Sequence, residues 1–214
     1  MEGAFKMIIE IFQDTVCPWC RIGKKNVFDA IKQWEGEPIT IRYRAYQLNP
    51  DTSKEGVPFW EYMGAMKGGI EGAKQMVQHA ANAGEAAGIP FQFDQVSVWP
   101  NTLASHQLIK LAPPELQTEM VDAIYRAYFE NGQDIGQLDT LVNIAGLLGM
   151  DEIETRLLIE KGEKLDEIRE DLEYAKQLQI TGVPFFVVDG KLALSGAHPV
   201  ENFLKAFRQV SETP

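Results

Sequence analysis

Cysteine and histidine are scarce here, with two and three copies in 214 residues. Two cysteines cannot build the dense disulfide framework that lets small secreted domains manage with a thin core. His79, His106 and His198 stand far apart, so the pattern of a four-ligand zinc site is missing and no metal is expected. Basic residues are in deficit, 20 against 31 acidic, for a net charge of −11. That balance argues against a nucleic-acid backbone or an anionic membrane surface as partner, and solubility is its simplest reading. No run approaches the roughly 18 apolar residues of a membrane span. The opening Met1-Glu2-Gly3-Ala4-Phe5-Lys6 lacks the basic-then-apolar pattern of a signal peptide. A soluble cytoplasmic protein is expected, in a compartment that keeps thiols mostly reduced. Internal repeats and low-complexity segments are absent as well.

What is present begins with apolar content, 45%, ample for one large domain or two small ones. Both cysteines fall within Cys17-Pro18-Trp19-Cys20. Before them lies an apolar, β-branched run from Met7 to Phe12. After them, Ile22, Val27, Ala30, Ile31 and Trp34 recur at helical spacing. A Cys-x-x-Cys at a strand-to-helix junction within a βαβ pattern reads as a redox motif. The thiolate is the nucleophile, and unpaired N–H groups at a helix N-terminus favour it. Pro18 suits the first helical position, where a missing N–H costs nothing. Cys17 is then expected at the cap, exposed and activated, with Cys20 one turn further in and able to attack a mixed disulfide on Cys17. Arg21, Lys24 and Lys25 add positive charge to the same helix, in directions that sequence does not give. Three other readings compete. A structural disulfide closing so short a loop stabilises little, a zinc site lacks its further ligands, and two inert cysteines can share this spacing by coincidence.

The first helix is expected to end near Trp34-Glu35-Gly36, with Gly36 as its stop. Residues 39–46 alternate, with Ile39, Ile41, Tyr43 and Ala45 on one face, as in a strand. Strand, helix and strand in about forty residues make a right-handed βαβ unit. From Asn49 the pattern turns helical, starting near Pro58 with Phe59, Trp60, Tyr62 and Met63 and broken at Gly68-Gly69. A second helix runs to about Gly88, and an extended aromatic stretch spans residues 89–93. Trp99-Pro100-Asn101-Thr102 is a helix entry with Asn101 or Thr102 as cap. Further helices follow after Pro113-Pro114, around Leu138 to Leu148, and from the cap Asp151, which has Glu154 three residues on. The charged run from Glu160 to Glu173 is expected to be a solvated helical face. Strand signals return after Gln179: Pro184 to Val188, the turn Asp189-Gly190 and Lys191 to Leu194 form a hairpin, and Pro199 starts a last amphipathic helix. With residues 50–178 removed, the chain reads βαβ then ββα. That is an α/β thioredoxin fold carrying a large all-helical insertion. Residues 1–49 and 179–214 form one discontinuous domain, and 50–178 form a subdomain packed across the end that bears the cysteines.

Four segments in order carry a resemblance: Cys17-Pro18-Trp19-Cys20, Pro100-Asn101-Thr102, Thr181-Gly182-Val183-Pro184-Phe185-Phe186 and Ser195-Gly196-Ala197-His198-Pro199. Over nearly its whole length the chain resembles the DsbA-like thioredoxin family. Within that family it is similar to the FrnE-type branch, grouped with the 2-hydroxychromene-2-carboxylate isomerases. The resemblance implies an attacking Cys17, a resolving Cys20 and a redox-active disulfide between them, with no other bound cofactor. It also implies a cis Val183-Pro184 bond facing the cysteines, so that an extended substrate pairs with Val183 beside Pro18 and Trp19. Isomerase and kappa-class glutathione transferase relatives usually have serine at the position of Cys17 and lack Cys20. Oxidase members carry histidine where this chain has Trp19, which cannot charge, so a less oxidising couple is expected.

The leading function is thus a thiol–disulfide oxidoreductase acting on protein or small-molecule thiols and disulfides, as a monomer or homodimer. The alternative is a glutathione-dependent isomerase or transferase, with glutathione as co-substrate. There the helix entry at Ser195 and Gly196 would cap a glutathione carboxylate, and Asn101 or Thr102 would reach the ligand. Those four residues are also ordinary capping choices. A third reading is a redox-linked binding module whose helical insertion recruits a partner.

Overall fold

The computed structural model of the protein describes residues 6–212. Residues 1–5, which entered the signal-peptide reading, lie outside that range. The β-branched run forms β1 (Met7–Gln13), followed by α1 (Pro18–Lys32) and β2 (Ile39–Ala45). β1 and β2 are parallel, with Met7 opposite Ile39 and Gln13 opposite Ala45. α1 stops earlier than the glycine predicts. Gln33 caps it by donating its N–H to the Ala30 carbonyl at 3.0 Å, and the Trp34 N–H donates to the Ile31 carbonyl at 3.1 Å. Gly36 instead makes room for a ring, because a Cβ there would stand 2.2 Å from the Trp34 indole. That indole N–H donates to the Glu37 carbonyl at 3.0 Å.

Between β2 and the returning strands the chain is helical but not wholly so. It contains β3 (Val57–Pro58), α2 (Phe59–Met66), α3 (Ile70–Ala86), β4 (Val98–Trp99), α4 (Leu103–Leu111), α5 (Gln117–Phe129), α6 (Leu138–Leu147), α7 (Glu152–Glu160) and α8 (Leu165–Gln177). β3 and β4 pair as a minimal antiparallel ribbon, Val57 opposite Trp99. The all-helical expectation missed it because two-residue strands carry no alternation to read, and Pro58 has no N–H with which to extend the ladder. α7 starts as predicted, with the Asp151 side chain accepting the Glu154 N–H at 2.8 Å.

β5 (Phe185–Val188) and β6 (Leu192–Ser195) form the hairpin, and α9 (Val200–Ser211) ends the described chain. Asp189 and Gly190 both have positive φ, 53° and 67°, as a two-residue hairpin turn of this twist requires. The sheet order is β2-β1-β5-β6, with β5 antiparallel to β1. Along β1, Met7, Ile9 and Ile11 join Val27 of α1 and Phe203 and Phe207 of α9 in one core. Phe12 packs with Ala175 of α8, Ile180 and Val187 in a smaller cluster. The larger core continues without a break into Phe59, Met120, Tyr125, Tyr128 and Leu141 of the helical stretch.

The charged run is not uniformly solvated. Asp171 of α8 is 1% exposed. It binds Arg44 at 2.8 Å, Lys110 at 2.6 Å and the Ala45 N–H at 2.9 Å. A buried carboxylate persists only with such partners.

Candidate active site

β1 delivers the chain into a turn, Asp14-Thr15-Val16, where the Cys17 N–H donates to the Asp14 carbonyl at 3.1 Å. Cys17 is the N-cap of α1 with extended backbone, and Pro18 occupies the first turn. The Cys17 sulfur accepts the Cys20 N–H at 3.3 Å, so one orphan donor of the helix terminus is spent on the thiol. The Cys17 thiol also donates to the Val183 carbonyl, 3.5 Å away. The Val183-Pro184 peptide bond is cis. Cys17, Pro18, Trp19 and Val183 therefore meet in one place, together with Pro184 beneath α1. A Cβ on Gly23 would stand 2.9 Å from the Pro184 ring, so a glycine is needed for that approach.

Both cysteines are free thiols here. Cys20 is fully enclosed, and burial, then its contact with Cys17, push its pKa well above the usual thiol value. Cys17 is not exposed as expected; only 3% of its surface reaches solvent. The reason lies far away in sequence. Leu48, Phe59, Tyr62, Trp99, Phe129 and Val183 help to wall a cavity of about 210 Å³ onto which Cys17 opens. Trp19 forms part of the same wall, its ring 5.1 Å from the His79 imidazole on α3.

The positive charges on α1 are neutralised. Arg21 pairs with Glu130, Lys24 with Asp122 at 2.7 Å and Lys25 with Asp29 at 2.5 Å. Burial lowers the Lys24 pKa against the pull of Asp122.

Beneath the cysteines lies a polar layer that sequence reasoning missed. Asp14 is buried, and its Oδ2 accepts the Leu48 N–H at 2.7 Å. Its Oδ1 lies 3.4 Å from Nε2 of buried His106, which donates to the Tyr46 carbonyl at 3.1 Å. The Tyr125 hydroxyl donates to Gln13 at 2.6 Å, and Thr15 and Ser105 share a hydrogen bond of 2.8 Å. Asp14 stands three residues before Cys17, and that closeness was the one available signal.

The four candidate ligand contacts are placed elsewhere. Asn101 accepts the Leu103 N–H at 2.9 Å and donates to the Thr52 carbonyl at 2.6 Å. Thr102 is buried, its hydroxyl 3.4 Å from Gln47. Ser195 pairs with Phe185 in the hairpin, and the Gly196 N–H donates to the Pro184 carbonyl at 2.8 Å. None of the four lines the cavity. Among the described residues, no three His, Cys, Asp or Glu side chains group as a metal site, and no helix is long and apolar enough to cross a membrane.

Cys17 capping α1 with Cys20 one turn on, a βαβ–ββα sheet and helices folded over the thiols define a thioredoxin-type architecture. Comparison gives the family: the DSBA-like thioredoxin domain matches residues 8–208, and the chain belongs to it. The uncharacterized protein YwbO of Bacillus subtilis is 27% identical over 204 residues, 92% of this chain and 94% of YwbO. The crystal structure of a probable DsbA oxidoreductase from Streptomyces coelicolor superposes with a TM-score of 0.90 at 29% identity, covering 97% of this chain and 91% of that one. The cytosolic disulfide reductase DsbM of Pseudomonas aeruginosa shares the fold at 16% identity and a TM-score of 0.71, covering 97% and 100%. That reductase has also been solved with glutathione.

Proposed function

We propose that the protein is a thiol–disulfide oxidoreductase working through Cys17 and Cys20. The observation that carries this is the Cys17 sulfur at the cap of α1, holding the Cys20 N–H and lying beside Val183. Cys17 thiolate attacks a disulfide sulfur, and the mixed disulfide lies along Val183 and Pro184, flanked by Pro18 and Trp19. Cys20 then attacks Cys17 and releases the substrate thiol. The reverse sequence oxidises a dithiol. Residues 1–49 and 179–214 carry the chemistry and 50–178 cover it. Thiols and disulfides are the substrate class, and the glutathione complex of the fold relative supports glutathione as a candidate co-substrate that reduces the Cys17–Cys20 disulfide again rather than as the guest of the cavity. The cytosolic designation of that relative supports the same compartment here.

Equilibration in glutathione redox buffers, with mass spectrometry reading the Cys17–Cys20 disulfide, tests the reading. A two-electron transition lost in Cys17→Ala is expected. No disulfide at any poise would overturn it.

A further inference from the structure

We infer that the substrate is a small disulfide bearing an apolar ring of benzyl size, seated in the cavity beside Cys17. The inference rests on the disulfide exchange proposed above. Every residue lining this cavity is uncharged, and Met63, Met66 and Met76 stand among the aromatic rings. Thioethers are polarizable and adapt to an irregular apolar guest. The volume of about 210 Å³ suits one substituted ring, since an apolar cavity of about 150 Å³ admits benzene.

Two observations set the class of guest. Cys17 is 3% exposed, so a disulfide on a folded protein surface meets the cavity wall before it meets the sulfur. Leu48 and Met66 line the cavity while remaining 40% and 52% exposed, which makes an apolar rim that a small molecule crosses. Glutathione carries two carboxylates and an ammonium group. The lining offers none of them a charged partner, and burying a charge unpaired is strongly unfavourable.

The chemistry closes without another reagent for one turnover. Cys17 thiolate forms a bond to one sulfur of the disulfide, and the scissile S–S bond breaks. The departing benzyl thiolate takes a proton from water. Cys20 loses its proton to solvent and bonds to the Cys17 sulfur, releasing the second benzyl thiolate, which is protonated in turn. One substrate disulfide becomes two thiols, and the protein dithiol loses two electrons and becomes one disulfide.

The test uses the reduced full chain in single-turnover reactions with dibenzyl disulfide, bis(2-hydroxyethyl) disulfide and glutathione disulfide. Each rate is divided by that of dithiothreitol with the same disulfide, which removes intrinsic reactivity. The normalised dibenzyl rate should exceed the other two by at least about tenfold, the order expected from burying one ring. Val77→Trp, which fills the cavity from α3, should lower that preference by about the same factor, with its fold checked by thermal melting. Equal normalised rates, a preference for glutathione disulfide, or an unchanged preference in folded Val77→Trp would overturn the inference while disulfide exchange stands. Should Val77→Trp not fold, the three-substrate series on the natural chain decides. Failure of all three disulfides to oxidise the protein would overturn the exchange reading and this inference with it.

Discussion

At the scale of single residues, burial sets the two thiols apart. Cys20 has no exposed surface, and burial pushes its pKa well above the usual thiol value. A thiol with a raised folded-state pKa contributes stability below its unfolded value, near pH 8.5, and that contribution is lost as pH rises further. The reduced protein should lose stability above about pH 8.5, by up to ~1.4 kcal/mol per unit from this group. The loss in Cys20→Ala should be smaller by that component. Denaturant melts of both proteins at pH 7, 8.5 and 10 measure the difference, and parallel curves would contradict the assignment. Buried Tyr43, also shifted upward by burial, is common to both proteins and cancels, whereas Tyr125 owes part of its upward shift to Cys20 and adds to the difference in the same pH range. Kinetically, Cys20→Ala should accumulate mixed disulfides and Cys17→Ala should not, as gel analysis without reductant would show. Equal trapping by both would refute the order of attack.

At the scale of elements, α1 must lie close against β5 for the cysteines to reach Val183. Gly23 makes that approach possible, since a Cβ there falls 2.9 Å from Pro184 and 3.0 Å from Phe186. Gly23→Val should destabilise the fold by about 1–3 kcal/mol through overpacking and slow disulfide exchange as Pro184 is displaced. Chemical denaturation and single-turnover rates would register the two effects separately. Unchanged exchange in the folded variant would show that Pro184 tolerates displacement. The hairpin makes a second demand, because Gly190 sits at φ 67°. Gly190→Ala should cost about 1–2 kcal/mol, with little effect on exchange.

Across the whole molecule, the sheet and the covering helices are joined by a continuous core and by one buried ionic knot. Asp171 on α8 ties Arg44 of β2 to Lys110 of α4. Asp171→Ala leaves Lys110 without its carboxylate while Arg44 keeps Glu10, and should cost toward the lower end of about 3–5 kcal/mol. Because Phe59, Tyr125 and Leu141 share a core with Ile9 and Phe203, calorimetry should record one cooperative transition. A separate early transition of the helical stretch would contradict this.

Features decided within a few residues were legible in the sequence. The pair Cys17 and Cys20 at a proline-started helix, the Asp189-Gly190 turn and the Asp151 cap depend on hydrogen bonds and dihedrals spanning at most one turn. The β-branched run from Met7, the alternation of residues 39–46 and the strands flanking Asp189-Gly190 were likewise legible, as were the helical spacings of the cover. The structure alone decided what surrounds the thiols. Cys17 is enclosed because Leu48, Phe59, Trp99 and Val183 converge on it, and each reads in sequence as an ordinary core or loop residue. Arg21 and Lys24 look like free cations until Glu130 and Asp122, about a hundred positions away, fold back to pair with them. Asp171 was lost in a run of charges for the same reason. Local rules state which face a side chain takes, whereas its burial and its partners are fixed only when distant segments compete for the same space and the same charge.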